Sequence, residues 1–175
     1  MTEWQIDPAH TGVEFAVKHM MFATVRGRFT EVNGTLTEGE EATVDVTIPT
    51  ASINTGVGQR DDHLRSADFF DVENHPEMRF TGKLVKGGVE TGGTLQGELT
   101  IRDITKPVTL EVEATGEGKD PWGNVKRGYL AKGQINRADF GLTWNQALEA
   151  GGVLVSDTVK LTLDVQLQQA APVAA

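Results

Sequence analysis

A chain of 175 residues has room for one domain with a sizeable core, and without cysteine it carries no disulfide framework, thiolate nucleophile or Cys-ligated metal. A formal charge of −9 repels nucleic-acid phosphates and anionic membranes at long range, so nucleic acid is excluded as a bulk partner and any anion site must be local. No stretch approaches the ~20 apolar residues of a membrane helix. Met1-Thr2-Glu3-Trp4 has no basic, apolar leader, which places the chain as written in the cytoplasm, or in the periplasm if a leader is missing.

Along the chain, apolar and polar residues alternate in short runs between glycine-rich turns, the period of strands. The first run sets Val13, Phe15 and Val17 against Glu14 and Lys18. In the second, Val25, Gly27 and Phe29 share one parity while Val32, Gly34 and Leu36 share the other, so a bulge or bend is expected near Thr30 and Glu31. The third turns Ala42, Val44, Val46 and Ile48 inward and ends at Pro49. Between Thr55 and Glu77 the alternation stops. Arg60 to Asp68 predicts one or two helical turns, with Leu64, Phe69 and Phe70 as the apolar side and Pro76 as the stop.

Five further strands follow, on Met78–Leu84, Leu95–Ile101, Val108–Gly116, Tyr129–Ile135 and Val159–Leu167. Trp144 to Ala150 is a weaker candidate for a helical turn. One domain over 1–168 and a flexible tail over 169–175 are expected. The fold class is all-β: eight antiparallel strands closed into a barrel, with a short helical insertion after the third. Closure at that number encloses either a packed core or one ligand and leaves no exposed edge.

Four inward mid-strand positions are glycine: Gly27, Gly82, Gly97 and Gly133. Each alone can mark a bend; together on one face they predict space. The lumen they would open is lined by Phe15, Val17, Phe29, Phe80, Leu99, Ile101, Leu110, Val112, Ile135 and Leu161, a surface that suits hydrocarbon. At about 0.8 kcal/mol per buried methylene, a long chain binds tightly without polar contacts. On this reading Gly97→Leu or Gly133→Leu lowers lipid occupancy more than stability.

A polar head group would need donors at the mouth. His19 has inward parity, and Lys18, Arg26 and Arg28 stand near it; they form either a pyrophosphate or carboxylate pocket or a solvated outer face. Arg60, His63 and Arg65 are a second cationic group, either touching ligand or pairing with Asp61, Asp62, Asp68 or Asp71. Asp7, His10 and Thr11 are too local for a catalytic triad, and Asp7 before Pro8 reads as a turn acceptor. No pair of histidines has a metal-binding spacing, so no metal and no catalytic residue is assigned. The only bound group expected is the lipid.

The run Trp4, Ile6, Asp7, Pro8, His10, Thr11, Val13, Phe15, Val17, Lys18, His19 is similar to the first-strand signature of the YceI-like family of lipocalin-like, polyisoprenoid-binding bacterial proteins. The stretch Arg60, Asp61, His63, Leu64, Arg65, Ser66, Asp68, Phe69, Phe70 with Pro76, Met78 and Phe80 resembles that family's insertion. Gly97 and Leu99 to Val108 resemble its fifth-to-sixth strand hairpin, with further likeness at Asp139-Phe140-Gly141 and at Asp157, Val159 and Leu161. The resemblance implies an elongated barrel holding a polyprenyl chain, such as an isoprenoid pyrophosphate or a quinone tail, to sequester or transport it. An enzyme acting on the lipid's head group through His19 or His63 is the alternative. A homodimer stays open as an assembly.

Overall fold

The computed structural model describes residues 1–146, 148 and 154–170. Its strands are β1 (Thr2–Ile6), β2 (Gly12–His19), β3 (Ala23–Phe29), β4 (Asn33–Glu38), β5 (Ala42–Pro49), β6 (Ile53–Asn54), β7 (Glu77–Gly88), β8 (Gly92–Ile101), β9 (Ile104–Lys119), β10 (Val125–Asn136) and β11 (Thr158–Gln169). One α-helix, α1 (Gly58–Arg65), follows β6.

The order β1-β4-β5-β7-β8-β9-β10-β11 closes through antiparallel β1–β11 pairing, while β2, β3 and β6 continue the sheet from β11. The closed eight-stranded antiparallel barrel with its short helical insertion is therefore present. Two of its staves are kinked. The first is β1 plus β2, broken by the 3-10 turn Pro8–His10; the second is β3 plus β4, broken at Thr30 and Glu31, where the parity switch placed it. There the Thr30 backbone N–H and hydroxyl both donate to the Ser52 carbonyl. The first stave also switches parity: Trp4 and Ile6 turn inward from β1, but Val13 and Phe15 from β2.

Two clusters fill the interior. The larger holds Val13, Phe29, Ile48, Ile53, Met78, Phe80, Leu99, Ile101, Leu110 and Phe140, with Phe15 and Phe70 packed on it. The smaller holds Trp4, Leu36, Tyr129 and Leu167. The β8–β9 hairpin turns in two residues, Arg102 and Asp103, and Arg102 takes a left-handed φ of 57° to do so. Gln168 and Gln169 extend β11 by pairing with Gln5 and Trp4, and residues 171–175 lie outside the described ones. Residues 144–146 and 148 have no regular structure, and the rest of the turn expected up to Ala150 lies outside the described residues.

The four inward glycines do not leave open space. Gly82 and Gly97 face each other across β7 and β8, and the Phe80 ring lies over them, its Cζ 2.6 Å from where a Gly97 Cβ would stand. The Phe15 ring fills the place of a Gly27 side chain, and Leu110 Cδ2 comes within 2.6 Å of a Cβ on Gly133. Each glycine is a seat for a neighbour's side chain, which gains contact with bare backbone.

A side chain at Gly97 therefore costs stability first, reversing the order expected from sequence. Its Cβ would collide with the Thr81 carbonyl oxygen, which cannot move without breaking the ladder. Gly97→Ala is expected to lose about 1–3 kcal/mol in urea unfolding, and Gly133→Ala less, because there the Leu110 side chain can rotate away and the nearest carbonyl oxygen, of Thr109, stands at 2.9 Å, farther than the Thr81 oxygen would from a Gly97 Cβ.

Candidate functional site

Between the two clusters the barrel encloses a cavity of about 120 Å³. Strand alternation builds it: Val44 and Val46 from β5, Leu95 from β8, Leu110 and Val112 from β9, Ala131 from β10 and Leu163, Val165 and Leu167 from β11 all turn to its centre. No charged side chain lines it. Its hydroxyls belong to Thr11, Thr35 and Tyr129. Tyr129 donates to the Val89 carbonyl at 2.6 Å, and burial raises its pKa, so it stays a neutral donor with its proton committed. Thr11 donates to the Gln166 carbonyl at 3.3 Å. What remains toward the cavity is hydrocarbon and the Thr35 hydroxyl.

Of the lumen residues expected from sequence, Phe80, Leu110 and Val112 line this cavity. Phe15, Phe29, Leu99, Ile101, Ile135 and Leu161 lie on the same inner face but in the packed cluster beside it. Val17 pairs with Val25 near the end of the β2–β3 hairpin, beyond the lumen. Sequence reading passed over Tyr129, Leu95 and the series Leu163, Val165, Leu167 as lining, although their inward parity was visible.

One end of the barrel is closed by Trp4, 2 % exposed, whose Nε1 donates to Glu38 at 3.1 Å while the Arg127 guanidinium lies 4.3 Å above its ring. Arg127 in turn pairs with Glu38 and Glu117, both at 3.1 Å. At the other end Phe140 is buried and α1 leads into Phe69 and Phe70, which packs edge-on against Phe29. Arg137, which sequence reading did not single out, holds this end. Its guanidinium donates to the carbonyls of Leu142 (2.7 Å), Ser156 (2.9 Å), Trp144 (3.0 Å) and Val155 (3.2 Å). Burial pulls its pKa down against the nearby Asp157 charge, as befits a cation held by dipoles more than by an anion.

The cationic candidates are placed apart from the cavity. Arg60 donates to the Thr55 hydroxyl and carbonyl at 2.7 and 2.8 Å. Arg65 donates to the carbonyls of Ala51 and Ile53 and pairs with Asp62, so both arginines pin α1 to the stretch before it. His63 meets Asp68 at 2.8 Å and stands edge-on to Phe69 and Trp144. His19 ends β2 in a bridge to Val155. Arg26 and Arg28 face away from the lumen, opposite Ala16 and Glu14 on the outer side of the hairpin.

Asp7 is the turn acceptor at the kink. Its carboxylate caps the 3-10 turn through Ala9 N–H and meets His10 Nδ1 and Lys126 Nζ, both at 2.9 Å. Burial alone would raise its pKa, but the hydrogen bonds and charges of Lys126 and His10 outweigh that and hold it below the ordinary carboxylate value.

With this geometry in place, comparison with known proteins settles the family: the YceI-like domain matches residues 4–167. The chain belongs to the YceI-like family. A UPF0312 protein of Staphylococcus aureus is 38% identical over 165 residues, covering 91% of this YceI-like chain and 94% of that protein. The structure of a Campylobacter jejuni YCEI protein superposes with a TM-score of 0.72 at 30% identity, over 88% of this chain and 90% of that one. A polyisoprenoid binding domain from Saccharophagus degradans, implicated in plant cell wall breakdown, shares the fold with a TM-score of 0.69 at 16% identity over 95% and 98% of the two chains. Among the described residues of this YceI-like protein no helix is long and apolar enough to cross a membrane.

Two substitutions test the ends of the barrel. Arg137→Leu orphans four carbonyls, and a loss of about 2–4 kcal/mol with faster amide exchange at Leu142, Val155 and Ser156 is expected. Asp7→Asn removes a group whose folded pKa lies below its unfolded one. Its stabilisation, about 1–2 kcal/mol, is fully present above the ordinary carboxylate pKa and fades as pH falls through the folded value. The difference between wild type and variant, followed by urea unfolding, should be constant from neutral pH down to mildly acidic and vanish in strong acid.

Proposed function

We propose that this protein binds an isoprenoid-type lipid by its hydrocarbon chain inside the barrel, to sequester or carry it, and is not an enzyme. The observation that carries the reading is the uncharged cavity, lined almost wholly by hydrocarbon and with two of its three hydroxyls, Thr11 and Tyr129, already bonded, at the centre of a closed barrel. A sugar or nucleotide would lose its hydration there and find no partners, whereas an alkyl chain loses nothing. The likeness to a structure described as a polyisoprenoid binding domain supports isoprenoids as the lipid class. Against catalysis stand the places of the histidine–acid pairs among the described residues: His10 with Asp7 and His75 with Asp103 lie in turns, and His63 of α1 meets Asp68 just beyond the helix, all outside the cavity, so none can act on a group held within it.

Size constrains the proposal. At about 30 Å³ per water-sized group, 120 Å³ accepts roughly four such groups. At about 0.8 kcal/mol each they contribute about 3 kcal/mol, well short of the ~8 kcal/mol of a micromolar complex. A tightly held chain must therefore displace side chains that now pack the interior, among them Phe15, Phe80 and Leu110, which rest on Gly27, Gly97 and Gly133. The head group is constrained too. A pyrophosphate drawn inside would find no cation, so a lipid held wholly within the barrel has a neutral, quinone-like or alcohol head; a charged head stays outside.

Native mass spectrometry of protein purified from its own source should show a co-purifying isoprenoid. Ala131→Leu places new carbon in the cavity and should weaken uptake of an added quinone or polyprenol by about tenfold or more while unfolding within about 1 kcal/mol of wild type. Undiminished uptake by that variant, or no lipid in either preparation, defeats the proposal.

A further inference from the structure

The outer face of the β2–β3 hairpin carries a surface of the opposite character to the lumen. Even-numbered residues of β2, β3 and β11 turn away from the core and line a groove of about 630 Å³ in which Lys18, Arg26, Arg28 and Lys160 stand with one acid, Glu14. None of the four cations is paired with a carboxylate among the described residues; Lys18 donates instead to the Thr24 hydroxyl at 2.7 Å. In a chain of net charge −9 this is a local inversion of sign.

The same hairpin ends in Met20, Met21 and Phe22, exposed by 42%, 60% and 78%. Met20 and Met21 hold left-handed φ angles of 53° and 69°, conformations that unbranched residues adopt at a cost, and the Met20 N–H is fixed to the Leu154 carbonyl at 2.8 Å. The turn is thus built to point consecutive large apolar side chains into solvent. Single exposed hydrophobics are ordinary; a run of them at one tip with cations directly behind is not. Trp122, 84% exposed, offers the contrast: it stands alone in the β9–β10 turn at the opposite end of the barrel.

We propose that the β2–β3 hairpin docks this protein on an anionic lipid bilayer, Met21 and Phe22 entering the interfacial region while Lys18 and Arg26 meet the head groups. Charge decides for a bilayer, since anionic lipid attracts the cations where a neutral surface would not and the apolar tip needs the acyl boundary beyond them. The acidic remainder of the molecule does not prevent this, because beyond a Debye length of about 10 Å its charge is screened and the nearest groups set the field. The inference is independent of what the lumen holds.

Sedimentation with vesicles of phosphatidylcholine alone and of phosphatidylcholine with an equal part of phosphatidylglycerol tests it, without any isoprenoid present. Binding is expected on the mixed vesicles, with Met21→Ser plus Phe22→Ser and, separately, Lys18→Glu plus Arg26→Glu each lowering the partition coefficient by about tenfold or more, and Trp122→Ser leaving it unchanged. The substituted side chains are exposed, so the thermal midpoint should hold in every variant. Absence of binding to the mixed vesicles overturns the proposal. So does a loss on charge reversal with none on Met21→Ser plus Phe22→Ser, which would mean that head-group ions bind the groove without insertion of the tip.

Discussion

Strand β11 holds two partners at once, and the barrel depends on it. Its first half pairs with β2, Lys160 to Asp164 against Ala16 to Gly12; its second half pairs with β1, Leu167 to Gln169 against Ile6 to Trp4. Between the two registers the N-terminal stave must bend and change which parity faces inward, or Trp4 and Val13 could not both reach the interior. The turn from Asp7 to Thr11 performs that change. Asp7 N–H donates to the Gln166 carbonyl, Gln166 N–H donates to the Thr11 hydroxyl, and Lys126 reaches across from β10, so the kink is tied to β11 beside it and to β10 beyond. A cluster too local for a catalytic triad is the hinge on which closure turns.

What the sequence made legible followed from periodicity. The eight apolar runs and the bend at Thr30–Glu31 show as alternation or its interruption, because a half-buried strand has to alternate, whereas β1 and the early start of β9 at Ile104 did not show. Periodicity could not say what occupies an inward glycine. Gly27, Gly82, Gly97 and Gly133 were rightly placed on the inner face, yet whether a bare backbone becomes a void or a seat depends on the rotamer of a residue on another strand, such as Phe80 or Leu110. Arg137 was illegible for a related reason. A buried arginine satisfied by four carbonyls leaves no acidic partner at a telling spacing, and its role exists only once the carbonyls of Leu142, Trp144, Val155 and Ser156 have been brought to it.

The cationic residues show how parity divides one hairpin between two tasks. Phe15 and Phe29 enter the core with ring centroids 5.6 Å apart, while Arg26 and Arg28, one residue removed, stand on the far side of the same backbone. Closeness in sequence to an apolar lining residue therefore says nothing about access to the lumen. In the helical insertion the arginines belong to neither surface, since Arg60 and Arg65 spend their donors on Thr55, Ala51 and Ile53 to hold α1 across the end of the barrel.

Removing all charge from the lumen has a consequence for selectivity. With no buried ion to satisfy, discrimination among ligands rests on length and girth, which hydrophobic contact reads only coarsely, at about 0.8 kcal/mol per methylene. Under the proposed function the interior side chains would be exchanged for ligand carbon. Each ring lifted from its glycine loses contact with backbone, and each methylene that replaces it restores much the same area. Under the proposed function such an exchange is nearly balanced, since ligand carbon takes over the contacts the rings give up, and it leaves the pairing of β1 with β11 intact.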